Sequence, residues 1–129
     1  MNTTMKLLFG IGVLFSLVFC QKGEKVTTIS VVEFATLVAD SGVQCVDVRT
    51  ASEYREGHIP RSINMDILDS TFVEKADSLL QKERPVALYC RSGKRSQRAA
   101  RLLAERGYRV YELAKGFTAW TAAGKEVAQ

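Results

Sequence analysis

The fold and the chemistry of this chain both turn on one stretch, Val86-Ala-Leu-Tyr-Cys90-Arg-Ser-Gly-Lys-Arg95-Ser96. Val86–Tyr89 has no polar alternation, the pattern of a parallel strand buried on both faces. Pro85 precedes it. A helical pattern follows from Ser96 to Arg106, with Ala99, Ala100, Leu102 and Leu103 on one face and Gly107 as its stop. A strand that ends in a cysteine and passes into a helix delivers that cysteine to the carboxyl end of a sheet, where open α/β sheets place ligands.

The same alternation runs outward in both directions. Upstream, Val26–Ile29 reads as an edge strand, and Ser30 with Glu33 forms a capping box for a helix striped by Phe34, Leu37 and Val38 and ended by Gly42. Val43–Val48 is a β-branched strand. Thr50 with Glu53 caps a short helix that stops near Gly57, and Ser62–Asn64 is a short strand. Thr71 with Glu74 opens a helix carrying Val73, Ala76, Leu79 and Leu80. Downstream, Arg109–Leu113 is a last strand and Phe117–Ala123 a last helix. Strands alternating with helices predict an α/β fold, a central, mostly parallel five-stranded sheet with helices on both faces.

Composition agrees with one globular domain. The chain has 129 residues, 47% hydrophobic and 25% charged, which excludes disorder, collagen-like repeats and coiled coil. Three scattered cysteines make neither a disulfide framework nor a paired metal motif, and a single histidine, His58, excludes a His-rich metal site. The net charge of +4 is concentrated: Arg91, Lys94, Arg95, Arg98 and Arg101 form a basic run with no acidic residue. The run is too short, and lacks the binding module, for nucleic acid. Starting directly after Cys90, it reads as a local anion site.

The N-terminus has a different character. Lys6 precedes the apolar run Leu7–Phe19, which is shorter than a bilayer span and reads as an export signal. The run ends at Cys20, and Leu17-Val-Phe-Cys20 resembles a bacterial lipoprotein signal, with Phe19 standing where a small residue is usual. The expectation is a signal peptide over 1–20 with Cys20 as a lipidation site, a polar linker over 21–25 and one domain over 26–129. It places the protein in the bacterial cell envelope, periplasmic and held to a membrane through a lipid anchor only.

The loop after the central strand suits an anionic sulfur. Gly93 frees the backbone to curl so that N–H groups converge on one spot, and the helix N-terminus adds its partial positive charge. Arg91, Lys94 and Arg95 act in the same sense, and together these favour a thiolate on Cys90. His58 sits in the turn-like Gly57-His-Ile-Pro60 and reads as a structural hydrogen-bonder. Cys45, mid-strand, reads as a small core residue.

These motifs together resemble the rhodanese family. Asp47-Val-Arg49, Glu53-Tyr54, Gly57-His-Ile-Pro60 and Asn64 resemble its upstream pattern, the Cys90 loop its active-site loop, and Gly107-Tyr108, Leu113-Ala-Lys-Gly116 and Trp120 its C-terminal pattern. The sequence departs at Lys115, where the family usually has glycine, and at Arg61-Ser62, where Gly-Ala is usual. The resemblance implies a rhodanese-like fold and a single-domain sulfurtransferase, with Cys90 as the nucleophile that carries a persulfide. It further implies that Arg91, Ser92, Gly93, Lys94, Arg95 and Ser96 cradle the substrate, that Arg91 and Arg95 hold it by charge, and that Asp47 and Arg49 brace the loop. No cofactor and no metal is implied. The expected partners are a small anionic sulfur donor of the thiosulfate type and a thiol or cyanide acceptor, a partner protein included.

Two other classes use related parts. Cysteine phosphatases and arsenate reductases place an arginine after five intervening residues, but here Ser96 holds that position and Arg95 comes one residue sooner. A non-catalytic sulfur-carrying module of the envelope is the third reading. The intact Cys90 and its cationic loop argue for an enzyme.

Overall fold

Residues 26–129 are described by the computed structural model; the signal peptide expected over 1–20 with Cys20, and the linker expected over 21–25, lie outside the described residues. The chain runs β1 (Val26–Ile29), α1 (Val31–Val38), β2 (Gln44–Asp47), α2 (Ala51–Glu56), β3 (Ile63–Asn64), α3 (Phe72–Leu79), β4 (Val86–Tyr89), α4 (Lys94–Glu105), β5 (Val110–Leu113) and α5 (Gly116–Ala122). The five strands form one sheet in the order β1-β5-β4-β2-β3, and every ladder in it is parallel. β1 is at the edge, as its polar Thr27 and Thr28 imply, and β4 lies at the centre.

Alternation along the strands feeds two cores. Val46, Val86, Leu88, Cys90 and Val110 face α3 and α4, where Phe72, Ala76, Ala99, Ala100 and Leu103 are buried against them. Cys45, Ala87, Tyr89 and Leu113 face the other way, onto Phe34 of α1 and Trp120 of α5. A four-residue strand whose every position is buried thus contributes to both layers at once. Both layers being covered, the predicted α/β architecture with helices on both faces is the observed one.

Local signals set most boundaries. Ser30 and Glu33, and again Thr50 and Glu53, make complete capping boxes. The box expected at Thr71 does not form. Thr71 N and Oγ1 both donate to Asp69 Oδ1, at 2.8 and 2.7 Å, so the preceding aspartate ends up organising this turn. In α3 the inward phase is Phe72 and Ala76, continuing to Leu80, and Leu79 points to solvent. α4 begins at Lys94, two residues before the expected start, because Gly93 adopts φ 111° and turns the chain straight into the helix without a side-chain cap. Leu102, expected inward, is only partly buried. Beyond α5 the tail returns, and Ala128 pairs with His58 in an antiparallel bridge.

The two departures from the family pattern share a cause. Arg61 (φ 68°) and Lys115 (φ 61°) are the two non-glycine residues with positive φ among the described residues. A side chain is strained there and glycine is not. Lys115→Gly is therefore expected to raise stability by about 1 kcal/mol, the cost of holding one side chain in the left-handed region. Denaturant unfolding of both proteins measures this, and a variant less stable than the parent contradicts it.

Candidate active site

Cys90 is positioned from behind. Its carbonyl accepts from Phe117 N–H at 2.8 Å and the Arg91 carbonyl accepts from Thr118 N–H at 3.1 Å, so the first residues of α5 hold the first two peptides of the loop. In a trans peptide the N–H points opposite the C=O. With both carbonyls turned toward α5, the N–H groups of Arg91 and Ser92 are directed away from it, and Gly93 N–H donates to Cys90 Sγ at 3.1 Å. The approach is close enough to need Gly116. A Cβ there would lie 2.4 Å from the Cys90 carbonyl oxygen and 2.7 Å from that of Arg91. Gly116 also has φ +54°, so the backbone conformation and the contact both require glycine.

Asp47 and Arg49 brace this arrangement at one remove. They form a buried ion pair of 2.7 Å, and Arg49 also donates to the Gly57 carbonyl at 2.7 Å. Burial pulls the guanidinium down, but the hydrogen bond and charge of Asp47 outweigh it and leave Arg49 above its ordinary value. Asn64 ties both backbones by donating to the Asp47 and Arg49 carbonyls. The guanidinium carbon lies 4.3 Å from the centroid of the Phe117 ring, and Phe117 is the residue whose N–H grips Cys90. The pair therefore reaches the loop through Phe117.

The cations of the loop are not equally available. Glu53 takes a bidentate pair from Arg95, at 2.7 and 3.0 Å, and a further contact from Arg91 at 3.0 Å. The Arg95 hydrogen bond drives the Glu53 carboxyl well below the ordinary carboxylate range, against the opposing effect of its partial burial. Glu53 is thus the residue that sequence reasoning placed only as a helix cap. It serves as cap and clamp together, joining α2 to the Cys90 loop. Lys94 is exposed and makes no ion pair among the described residues.

Ser96 is buried in the first turn of α4, with Oγ 3.5 Å from Cys90 Sγ. It occupies the position where a cysteine phosphatase would carry arginine, and no guanidinium replaces it, Arg95 being held by Glu53. Ser96 leads on to Glu112, a buried carboxyl in β5 that the sequence reading did not single out. Its signal was present: a carboxylate inside the otherwise parallel-strand sequence Val110-Tyr-Glu-Leu113. His58 is structural, its Nδ1 2.8 Å from the Tyr54 carbonyl and its ring stacked on Tyr54. Cys45 lies in the α1-side core, where burial pushes its thiol up and the Asp47 charge adds to that.

A family model described as a rhodanese-like domain matches residues 30–123. The chain is 38% identical over 96 residues to thiosulfate sulfurtransferase GlpE of Coxiella burnetii, an alignment covering 73% of this chain and 86% of that protein. It is 34% identical over 111 residues to thiosulfate sulfurtransferase 18 of Arabidopsis thaliana, covering 77% and 81%. In three dimensions it is similar to the rhodanese-like domain of the Alr3790 protein from Anabaena, with a TM-score of 0.70 at 30% identity, covering 78% and 77% of the two chains.

Removing the clamp gives a pH-dependent test. Because the Glu53 carboxyl is depressed in the folded protein, its contribution to stability is fully present above the unfolded value and lost as the pH falls through the folded one. Glu53→Gln should cost roughly 1.5–3 kcal/mol near neutrality, as charged hydrogen bonds do. The gap should hold from about pH 5 upward and narrow below about pH 4.3. Denaturant unfolding of both proteins across pH is the measurement, and a gap that widens on acidification refutes the clamp.

Proposed function

The chain belongs to the rhodanese-like domain family, and from that membership we propose a sulfurtransferase that moves a sulfane sulfur from a thiosulfate-type donor to a thiophilic acceptor through a persulfide on Cys90. The observation that carries the reading is the 3.1 Å contact from Gly93 N–H to Cys90 Sγ, within a loop whose carbonyls are held by α5. Amide donors aimed at one small volume stabilise negative charge there without proton transfer, first on the attacking sulfur and then on the terminal sulfur that replaces the donor.

The steps balance simply. The Cys90 thiolate attacks the outer sulfur of thiosulfate, the Sγ–S bond forms, the donor's own S–S bond breaks, and sulfite leaves with the electron pair. Cyanide or a thiolate then attacks the terminal sulfur and returns Cys90 to the thiolate. A dianionic donor approaching an anionic sulfur needs local positive charge. Among the described residues Lys94 is the loop cation outside any ion pair and supplies it directly, while Arg91 and Arg95 hold the loop in shape through Glu53.

Incubation with thiosulfate should add the mass of one sulfur to the peptide containing Cys90, and cyanide should remove it as thiocyanate. Cys90→Ser should abolish both, since a hydroxyl is far less acidic than a thiol. Faster hydrolysis of aryl phosphates than sulfur transfer by the unaltered protein would overturn the proposal in favour of phosphatase chemistry.

We also propose an envelope location with lipid on Cys20, supported by the apolar run that ends there. Cys20→Ser should move the protein out of the membrane fraction or leave a larger precursor. Unchanged processing and partitioning would refute lipidation.

A further inference from the structure

Lys115 holds a strained backbone conformation, yet the fold makes no use of its side chain. Its φ of 61° lies in the left-handed region, where glycine would be unstrained. The side chain is exposed, gives α5 no cap hydrogen bond and enters no ion pair among the described residues. A strained residue kept without a structural task points to a task in function.

Its place in the fold is beside the sulfur. Lys115 precedes Gly116, the residue whose close approach to the Cys90 and Arg91 carbonyls seats α5 on the loop. Through the same contact its backbone abuts Gly93: a Cβ on Gly93 would lie 3.6 Å from Lys115 N and 3.9 Å from Lys115 Cα. Gly93 N–H in turn donates to Cys90 Sγ at 3.1 Å. Lys94 follows Gly93 in the chain and Lys115 meets it through space, so two exposed lysines flank the glycine that touches the sulfur. Arg91 and Arg95, by contrast, are tied to Glu53. A lysine carries its ammonium on a flexible four-carbon stem, and from this Cα the stem can reach across the mouth of the loop.

Distance from the sulfur decides what such a cation meets. In a thiosulfate-type donor the anionic oxygens sit on the atom next to the sulfur under attack, so they stay close to Cys90 and its amides. Lys115 stands further back, with Gly93 between it and the sulfur. It therefore suits an anion several bonds away from the reacting atom, which a larger acceptor can carry.

We propose that Lys115 is a specificity-determining residue for the acceptor, and that it favours thiols bearing a carboxylate a few bonds from the sulfur. This rests on the sulfur-transfer reading and deepens it. The acceptor thiolate attacks the terminal sulfur of the Cys90 persulfide, a new S–S bond forms, and the bond from Cys90 Sγ to that sulfur breaks. Cys90 leaves with the electron pair as a thiolate, and the acceptor departs as its own persulfide. Throughout, the acceptor carboxylate pairs with the Lys115 ammonium, which offsets the approach of a doubly charged molecule to an anionic site.

The test compares two acceptors that differ in charge, 3-mercaptopropionate and 2-mercaptoethanol, with thiosulfate as donor and sulfite release as the readout. In a two-step transfer kcat/KM for the acceptor reports the second step alone. Lys115→Met keeps the stem and removes the charge. It should lower kcat/KM for 3-mercaptopropionate relative to 2-mercaptoethanol by about two- to fivefold, the range of one exposed ion pair. Lys115→Arg should restore the preference, and added salt should shrink it. A ratio of the two thiols unchanged in Lys115→Met overturns the proposal. So does a larger fall in kcat/KM for thiosulfate than for 3-mercaptopropionate, which would assign the lysine to the donor. An unaltered protein that releases sulfite with neither thiol fails the sulfur-transfer reading and takes this proposal with it. One that turns over both thiols with a preference indifferent to residue 115 fails this proposal alone.

Discussion

The seating of α5 on the Cys90–Arg91 backbone is the constraint on which the rest depends. A loop that turns its amides inward must place its carbonyls elsewhere, and buried carbonyls need donors. Phe117 and Thr118 N–H provide them, at a helix start whose first amides have no partner inside the helix. Two sets of unsatisfied groups thereby answer each other. The arrangement tolerates no side chain at Gly116, and it forces the preceding residue into a left-handed turn that Lys115 adopts under strain. The ion pair of Asp47 and Arg49 then supports α5 through the Phe117 ring, so a buried charge pair far from the sulfur in sequence still bears on its position.

Charge in the loop is divided by function. A cluster of free cations after Cys90 would repel itself and attract any anion. Glu53 removes two of the three from general use by binding Arg91 and Arg95 at once, and its own backbone role in the Thr50 cap fixes where that carboxylate sits. The result, among the described residues, is a braced loop with local amide dipoles and one lysine outside any ion pair, rather than a diffuse basic patch. Such a site favours a small anion held by backbone groups over a large one gripped by arginines.

Much of this was legible in the sequence because it is written locally. Val86–Tyr89, the complete boxes at Ser30 and Thr50, and the stops at Gly57 and Gly107 each state their structure within a few residues, and the elements formed where those signals stand, whereas α1 ends at Val38, before the Gly42 expected to stop it. The failures are equally physical. Thr71 has the box spacing, but Asp69 two residues earlier competes for its donors and wins. The start of α4 was set by the backbone freedom of Gly93, which a side-chain capping rule does not see. In the site, Cys90 and its loop were legible from type and order. Glu53 as clamp and Glu112 as neighbour of Ser96 were not, because each contact joins elements distant in the chain, from α2 to α4 and from β5 to α4. The unusual residues at Arg61 and Lys115 were visible as departures, and their positive φ explains why glycine is the usual occupant.

The two buried carboxyls of the sheet show how one fold assigns opposite roles to the same group. Asp47 receives the Arg49 guanidinium in direct contact and the Arg49 amide besides, so its role is structural. Among the described residues Glu112 receives hydroxyls alone, from Thr28 and Ser96. A hydroxyl can reverse its direction, donating or accepting as its neighbours require, whereas a guanidinium only donates. The hydrogen-bond direction is set where the partner is a guanidinium and reversible where the partner is a hydroxyl. Of the two carboxyls, Glu112 stands next to Ser96, and Ser96 stands next to the sulfur.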